Sequence, residues 1–74
     1  MTDKDKKDMI MALHGVEKSI RLYERALKNQ DSYTNELVER TKRNLADALD
    51  TLKEGKEWLS TNGYDYVSEL KKIN

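Results

Sequence analysis

The fold is decided by residues 32–62, which read SYTNELVERTKRNLADALDTLKEGKEWLSTN. Apolar and small side chains recur there every three or four residues, at Val38, Thr41, Leu45, Ala48, Leu52, Gly55 and Leu59. Because an α-helix turns once per 3.6 residues, this spacing places them on one stripe. Leu37, Leu49 and Trp58 widen the stripe to one side. The stretch predicts an amphipathic helix, helix 2, over about residues 32–61, and its stripe must be covered by another element.

A second pattern of the same kind precedes this stretch. It consists of Met9, Leu13, Val16, Ile20, Tyr23 and Leu27, spaced 4-3-4-3-4. The pattern predicts helix 1 over about residues 5–29, with Thr2, Asp3 or Asp5 as candidate N-caps. We expect the polar residues 1–7 to fray.

The two patterns are offset by four residues, which indicates a break at residues 29–32. Asn29 suits the left-handed position that ends a helix, and Asp31 or Ser32 can cap the next one. A short connection makes the helices antiparallel neighbours, which predicts a helical hairpin. A stutter in one continuous coiled coil would produce the same offset and remains the alternative.

A turn is also predicted at Gly63, which suits a left-handed helix end, with Tyr64 folding back onto Trp58 or Leu59. Asp65 then caps helix 3, predicted over about residues 65–73. A helix of roughly nine residues is marginal alone, so it must dock on the hairpin or on another chain. The predicted fold is all-α: one domain over residues 1–74, an antiparallel helical hairpin with a short third C-terminal helix.

The chain is too short to bury a large core. A chain of 74 residues buries only ~60% of its unfolded surface, and without cysteine it has no disulfide to compensate. The apolar stripes are wider than one hairpin can cover, which favours a homodimeric helical bundle over a three-helix monomer or assembly with an unrelated protein. The predicted core or oligomer seam consists of Leu13, Val16, Ile20, Tyr23, Leu27, Val38, Leu45, Leu52 and Leu59.

Two charged stripes and an aromatic group are the candidate partner-binding surfaces. The basic stripe on helix 1 is Lys18, Arg21, Arg25 and Lys28, the acidic stripe on helix 2 is Asp47, Asp50, Glu54 and Glu57, and the aromatic group is Trp58, Tyr64 and Tyr66. The basic stripe suits phosphates or an acidic partner. The acidic stripe suits a basic partner, because it lies where the helix dipole disfavours anions.

Each surface also has a plainer interpretation. The basic stripe is a solvated face whose charges are balanced by pairs such as Glu17–Arg21 and Glu24–Lys28. The acidic stripe is neutralised by Lys53, Lys56 and the N-terminal lysines. The aromatic group lies where helix 3 folds over the hairpin. We favour these plainer interpretations.

Residues for catalysis, cofactors or metals are not recognisable. His14 is the single histidine and cysteine is absent, so a zinc site is not expected, and no phosphate loop or calcium loop occurs. With fourteen basic and fourteen acidic residues, the net charge of zero supplies no field that attracts nucleic acid or a membrane. No signal peptide or membrane span is recognisable, so we expect a cytoplasmic protein.

These observations predict a non-enzymatic protein-interaction module, such as an adaptor, inhibitor or regulatory protein, that self-associates and acts through helix faces. One alternative is a nucleic-acid-binding regulatory dimer that uses the basic stripe. The other is a purely structural oligomerisation element.

Overall fold

The structure, a computed structural model, describes residues 2–73. It contains three α-helices: α1 (Asp3–Lys28), α2 (Asn35–Thr61) and α3 (Tyr66–Ile73). No strand occurs within residues 2–73, so the predicted all-α class is confirmed. Because α1 ends before α2 begins, the alternative of one continuous helix is wrong.

The start of α1 lies earlier than predicted. The Thr2 hydroxyl accepts a hydrogen bond from the Asp5 amide at 3.1 Å, so Thr2 is the N-cap and the helix begins at Asp3. Lys6 in the first turns forms an ion pair with Glu69 of α3 at 3.2 Å. The helix therefore begins two residues before the predicted start near residue 5, and Thr2 is confirmed among the three candidate N-caps.

The connection between α1 and α2 differs from the predicted cap. Gln30–Ser32 form one turn of 3-10 helix, and α2 begins at Asn35 rather than near residue 32. The N-cap is Thr34, whose hydroxyl accepts from the Leu37 amide at 3.2 Å, and not Asp31 or Ser32. Asn29 is not left-handed, since its φ is −114°. A polar residue was available at several positions here, and the extra 3-10 turn decided which one capped the helix.

The end of α2 follows the prediction closely. Gly63 has a φ of 84°, in the left-handed region. Its amide donates to the Ser60 carbonyl and the Tyr64 amide donates to the Leu59 carbonyl, each at 2.9 Å, which is a Schellman motif. Asp65 accepts from the Ser68 amide at 3.0 Å and so caps α3, which begins at Tyr66.

The core lies at one end of the molecule, where all three helices meet. Its buried cluster is Ile10, Leu13, Leu59 and Tyr66, and Met9, Leu52, Tyr64, Leu70 and Ile73 pack around it. Gly55 marks the close contact between α1 and α2. A Cβ atom placed there would overlap the Leu13 side chain, meeting its Cγ at 3.1 Å. Gly55 is therefore a point of close approach between α1 and α2.

The molecule is elongated. Its radius of gyration is 14.8 Å and its longest dimension is 44 Å, whereas a compact chain of this length has a radius of about 11 Å. Within residues 2–73 seven large apolar side chains are exposed: Met11, Leu22, Tyr33, Leu37, Leu49, Trp58 and Val67. Much of the apolar surface that the helices carry is therefore not covered within one copy of the chain.

Candidate functional site

Over residues 9–27 of α1 the charged residues are confined to one side of the helix. Between residues 9 and 27 they are Glu17, Lys18, Arg21, Glu24 and Arg25. At 3.6 residues per turn, these five positions lie within about 120° of the helix circumference. The remaining arc of about 240° carries no charge, whereas a helix on the surface of a globular protein needs an apolar stripe of only about 100°. The uncharged arc is wider than packing against α2 explains.

The exposed part of that arc continues across a groove onto α2. Met9, Ala12, Leu13 and Val16 line one wall of this open groove, which has a volume of about 400 Å³, and Thr51, Glu54, Gly55 and Trp58 line the other. Apart from Glu54, the residues that line the groove carry no charge, and we call the exposed and half-buried uncharged residues on both sides of it the uncharged face. Its members are Met11, Ala12, Gly15, Ser19, Leu22 and Ala26 on α1, and Leu37, Asn44, Thr51 and Trp58 on α2.

Two side chains dominate the uncharged face. Leu22 is 61% exposed and Trp58 is 43% exposed. The neighbours of Leu22 on α1 are small, since Ser19 and Ala26 lie three and four residues away and Gly15 lies seven residues away along the same line. Large apolar side chains beside small ones form knobs and holes that a facing helix can fill.

The opposite side of the long helices is covered by α3, which is held partly by polar contacts. The Tyr66 hydroxyl donates a hydrogen bond to the Glu17 carboxylate on α1. Burial, together with this bond and the negative charge of Glu17, raises the pKa of Tyr66 above its ordinary value. The Lys56 ammonium lies 5.3 Å from the centre of the Tyr66 ring, close enough for a cation–π contact. Tyr66 thus joins all three helices.

A second polar contact fastens α3 at Glu69. Its carboxylate lies 3.2 Å from the Lys6 ammonium and 3.3 Å from the Lys72 ammonium. Burial alone would raise the pKa of Glu69, but the hydrogen bonds and charges of Lys6 and Lys72 outweigh it and hold the pKa below the ordinary value. Lys6 also lies 4.7 Å from the centre of the Tyr64 ring. Glu69 therefore anchors α3, a short helix that is only marginally stable in isolation, through its ion pairs.

The basic stripe is exposed along its whole length. Arg21, Arg25 and Lys28 surround one shallow depression together with Glu24, while Lys18 lies outside it. Within residues 2–73, none of the four basic residues is within 4.0 Å of a carboxylate. The expected pairs Glu17–Arg21 and Glu24–Lys28 are not formed, because Glu17 turns to Tyr66 and Glu24 stays in solvent.

The acidic stripe is also exposed at all four positions, Asp47, Asp50, Glu54 and Glu57. In the described part of the chain none of them forms an ion pair within 4.0 Å, so the neutralisation that we favoured is not seen at this distance. The nearby N-terminal lysine with an ionic partner is Lys6, and that partner is Glu69 of α3.

The aromatic group is divided between two surfaces. Tyr66 is buried and Tyr64 is half-buried against the core under α3. Trp58 instead lines the groove of the uncharged face. Tyr64 therefore folds back onto the cluster that contains Leu59, which is one of its two predicted contacts. Trp58 remains exposed beside the groove.

Burial along the predicted seam varies. Leu13, Ile20 and Leu59 are buried, and the other six, Val16, Tyr23, Leu27, Val38, Leu45 and Leu52, are half-buried. The seam is thus only partly covered within residues 2–73.

Sequence reasoning missed two features of these surfaces. One is the anchoring of α3 by Glu17, Lys6 and Glu69, which local spacing does not reveal because Glu17 and Tyr66 are 49 residues apart. The other is the uncharged face. Its signal was visible in the sequence, because Ala12, Gly15, Ser19, Leu22 and Ala26 form a second 3-4-3-4 line on helix 1.

The remaining chemistry is sparse. In the part of the chain that the structure describes, no group of three or more His, Cys, Asp or Glu residues could hold a metal ion. The Nδ1 atom of His14 is buried and has no hydrogen-bond partner there. Among residues 2–73, no helix has the length and apolar character needed to cross a bilayer. Comparison with protein-family models, curated proteins and solved structures finds no match to this chain.

Proposed function

We propose that this protein is a small non-enzymatic interaction module, of the adaptor, inhibitor or regulatory kind, that binds a protein through a helix face. The observation that carries the proposal is the uncharged face, where Trp58 and Leu22 are exposed beside a groove. Exposed tryptophan next to apolar surface is typical of the residues that dominate binding energy at protein interfaces.

The architecture that presents this face is an antiparallel helical hairpin. The order of contacts supports it: Leu13 lies against Gly55, and Lys6, earlier in α1, lies against Tyr64, which follows α2. The short helix α3 covers one side of the hairpin and leaves the other side open. One side of the hairpin thus stabilises the fold, and the other is available for a partner.

The test is affinity capture with purified, tagged protein from an extract of the source cells. A variant that carries Leu22→Glu and Trp58→Glu places two charges on the uncharged face and should lose the captured protein. The matched control is Leu49→Glu together with Val67→Glu, which changes two exposed apolar residues outside that face. Capture that the two double variants reduce equally, or wild-type protein that binds neither another protein nor a second copy, would contradict the proposal.

A nucleic-acid-binding regulatory dimer is the second candidate, and the basic stripe supports it. Arg21, Arg25 and Lys28 are exposed, have no carboxylate within 4.0 Å and surround one depression. Phosphate contacts of this kind weaken steeply as salt rises. Arg21→Glu with Arg25→Glu should therefore abolish retardation of DNA or RNA in a gel at low salt. Wild-type protein that retards neither nucleic acid at low salt would remove this candidate.

A purely structural oligomerisation element is the third. Such a protein would keep its assembly when outer charges are reversed, but it would lose it with Leu45→Asp or Ile20→Asp. The capture experiment distinguishes this candidate from the first. A structural oligomerisation element captures only a second copy of itself, whereas an interaction module captures a different protein.

A further inference from the structure

We propose that the groove between α1 and α2 binds a cationic amphipathic helix of a partner protein. The apolar side chains of that helix enter the groove beside Trp58, and its Lys or Arg residues face the carboxylates that surround the groove. This inference rests on the proposed function, because it names the chemistry of the partner for the same surface. The sign of the charges around the groove carries it.

The groove is apolar and about two helical turns long. Its walls run from Met9 to Val16 on α1 and from Thr51 to Trp58 on α2, which is about 10 Å along each helix. Trp58 is 43% exposed, so much of its ring is covered by water in the isolated chain. A partner helix that presents apolar side chains over two turns matches this length and can bury the exposed part of the ring.

The charges that border the groove are acidic. Residues three or four positions apart along a helix are neighbours on its surface. The charged neighbours of the groove-lining residues are Asp5, Lys6, Asp8 and Glu17 on α1 and Asp47, Asp50, Glu54 and Glu57 on α2. Lys6 and Glu17 are already engaged by α3, through Glu69 and Tyr66 respectively. The other six are all carboxylates, and we call them the acidic rim.

The acidic rim is not neutralised by the described part of the chain. All six residues are exposed, and within residues 2–73 none of them forms an ion pair within 4.0 Å. The basic stripe does not reach them, because it begins at Lys18, beyond the end of the groove at Val16. Since the whole chain has a net charge of zero, the groove is acidic because the charges are unevenly distributed.

The part of the rim on α2 also opposes its own helix. Its four carboxylates follow one another at spacings of three and four residues, so each has a neighbour of the same charge on the helix surface. Like charges at these spacings destabilise a helix. Cations supplied by a partner would remove this repulsion and would be attracted by carboxylates on both walls of the groove.

The walls favour a helical partner over an extended one. Both walls belong to α-helices, and in the interior of a helix the backbone N–H and C=O groups are bonded to each other. An extended peptide binds by adding to the free edge of a sheet, and no strand occurs within residues 2–73. A helix satisfies its own backbone groups and can lay one apolar face in such a groove. Lys or Arg residues on both sides of that face would then meet the rim carboxylates.

The experiment titrates the full chain with synthetic helices and follows the fluorescence of Trp58. Trp58 is the single tryptophan of the chain and lines the groove, so its emission reports on this site. The cationic probe is a peptide of about 18 residues, long enough to form a helix. It contains leucine, alanine and lysine, with leucines every three or four residues and lysines on both sides of the leucine stripe. A second peptide has glutamate in place of lysine, and a third keeps the composition of the first but scatters the leucines around the helix.

We expect the cationic amphipathic peptide to move the Trp58 emission to shorter wavelength and to bind at least about tenfold more tightly than either of the others. Binding should weaken as salt increases, because the rim is exposed. Removal of two rim charges with Asp8→Asn and Glu54→Gln should weaken it about three- to tenfold. The matched control, Glu24→Gln with Asp31→Asn, removes two exposed carboxylates that do not border the groove and should leave the affinity unchanged.

Equal affinity for the cationic peptide and either of the others, or Trp58 emission that no peptide changes, would overturn the proposal. An equal loss in the control variant would also overturn it, because net charge and not the rim would then attract the peptide. Sedimentation equilibrium of the chain alone tests the other occupant, since a dimer that Trp58→Glu abolishes would assign the groove to a second copy. The proposed function is judged separately, by whether capture of a protein depends on Leu22 and Trp58, whichever peptide binds.

Discussion

Replacing Gly55 by alanine tests the packing of α1 against α2 with a single methyl group. Gly55 lies in the interior of α2, and a Cβ atom there would meet three atoms of the Leu13 side chain, with Cδ1 at 2.9 Å and Cγ at 3.1 Å. Leu13 is only 3% exposed, so the side chain as a whole must move within the core rather than swing into solvent. The substitution therefore brings a gain in helix propensity and a steric cost.

The sizes of these two free-energy terms decide whether the alanine stabilises or destabilises the fold. Alanine is better than glycine in a helix interior by about 1 kcal/mol. Adding a methyl group to a packed core costs about 1–3 kcal/mol. Gly55→Ala should therefore lower the free energy of unfolding by about 0–2 kcal/mol. The structure also offers a matched control, because a Cβ atom at Gly15 in the interior of α1 would meet nothing within 4 Å. Gly15→Ala has the same gain in helix propensity without the steric cost, so it should raise the free energy of unfolding by about 1 kcal/mol.

The assay is urea and thermal denaturation followed by circular dichroism. Both variants are compared with wild-type protein at the same protein concentration. The helix-propensity term is common to both, so the difference between them isolates the contact with Leu13, about 1–3 kcal/mol in favour of Gly15→Ala. For a domain of this size, 1 kcal/mol corresponds to about 4–8 °C in Tm.

The result that would refute the reasoning is equal stabilisation by the two alanines. It would mean that Leu13 does not pack against Gly55, and the level of α1 relative to α2 would then be wrong.

Three further predictions concern α3 and the caps. Because the pKa of Tyr66 is raised, its stabilising effect is fully present below pH 10 and is lost as the pH rises. Ultraviolet titration should show one late-ionising tyrosine that Tyr66→Phe removes, and persistence of the late phase would contradict the contact with Glu17. Because the pKa of Glu69 is lowered, its contribution is present above its ordinary value near 4.5 and is lost as the pH falls through the folded value. The rate of amide hydrogen exchange in α3 should therefore rise in acid, and this rise should be smaller in Glu69→Gln. The same dependence on pH in both proteins would count against the Glu69 anchor. Thr34→Ala should lower the free energy of unfolding by about 1 kcal/mol through loss of the cap, measured in urea, and an unchanged midpoint would show that the cap is dispensable.

The two sides of the α1–α2 pair differ in how they are covered. The side under α3 combines apolar burial with the polar anchors Tyr66 and Glu69. The uncharged face has exposed apolar side chains and no such cover. An amphipathic helix whose uncharged arc is twice the usual width needs contacts on two sides.

The sequence by itself determined the helical class, the number of helices and the approximate ends of each. These depend on interactions within one or two helical turns, so periodic apolar residues and local caps are sufficient to read them. Gly63 and Asp65 show this best, because each acts on backbone groups within five residues of itself. The error at the start of α2 is also local, since several polar residues competed for one cap.

Only the tertiary structure decided which charges are paired and which face stays open. Glu17 was expected to pair with Arg21 four residues away, yet it accepts from Tyr66 across 49 residues. Lys6 likewise reaches Glu69 rather than the acidic stripe. The physical reason is that α3, packed against α1 and α2, brings buried partners to residues that local spacing would leave in solvent. Leu22 and Trp58 receive no such cover and stay exposed.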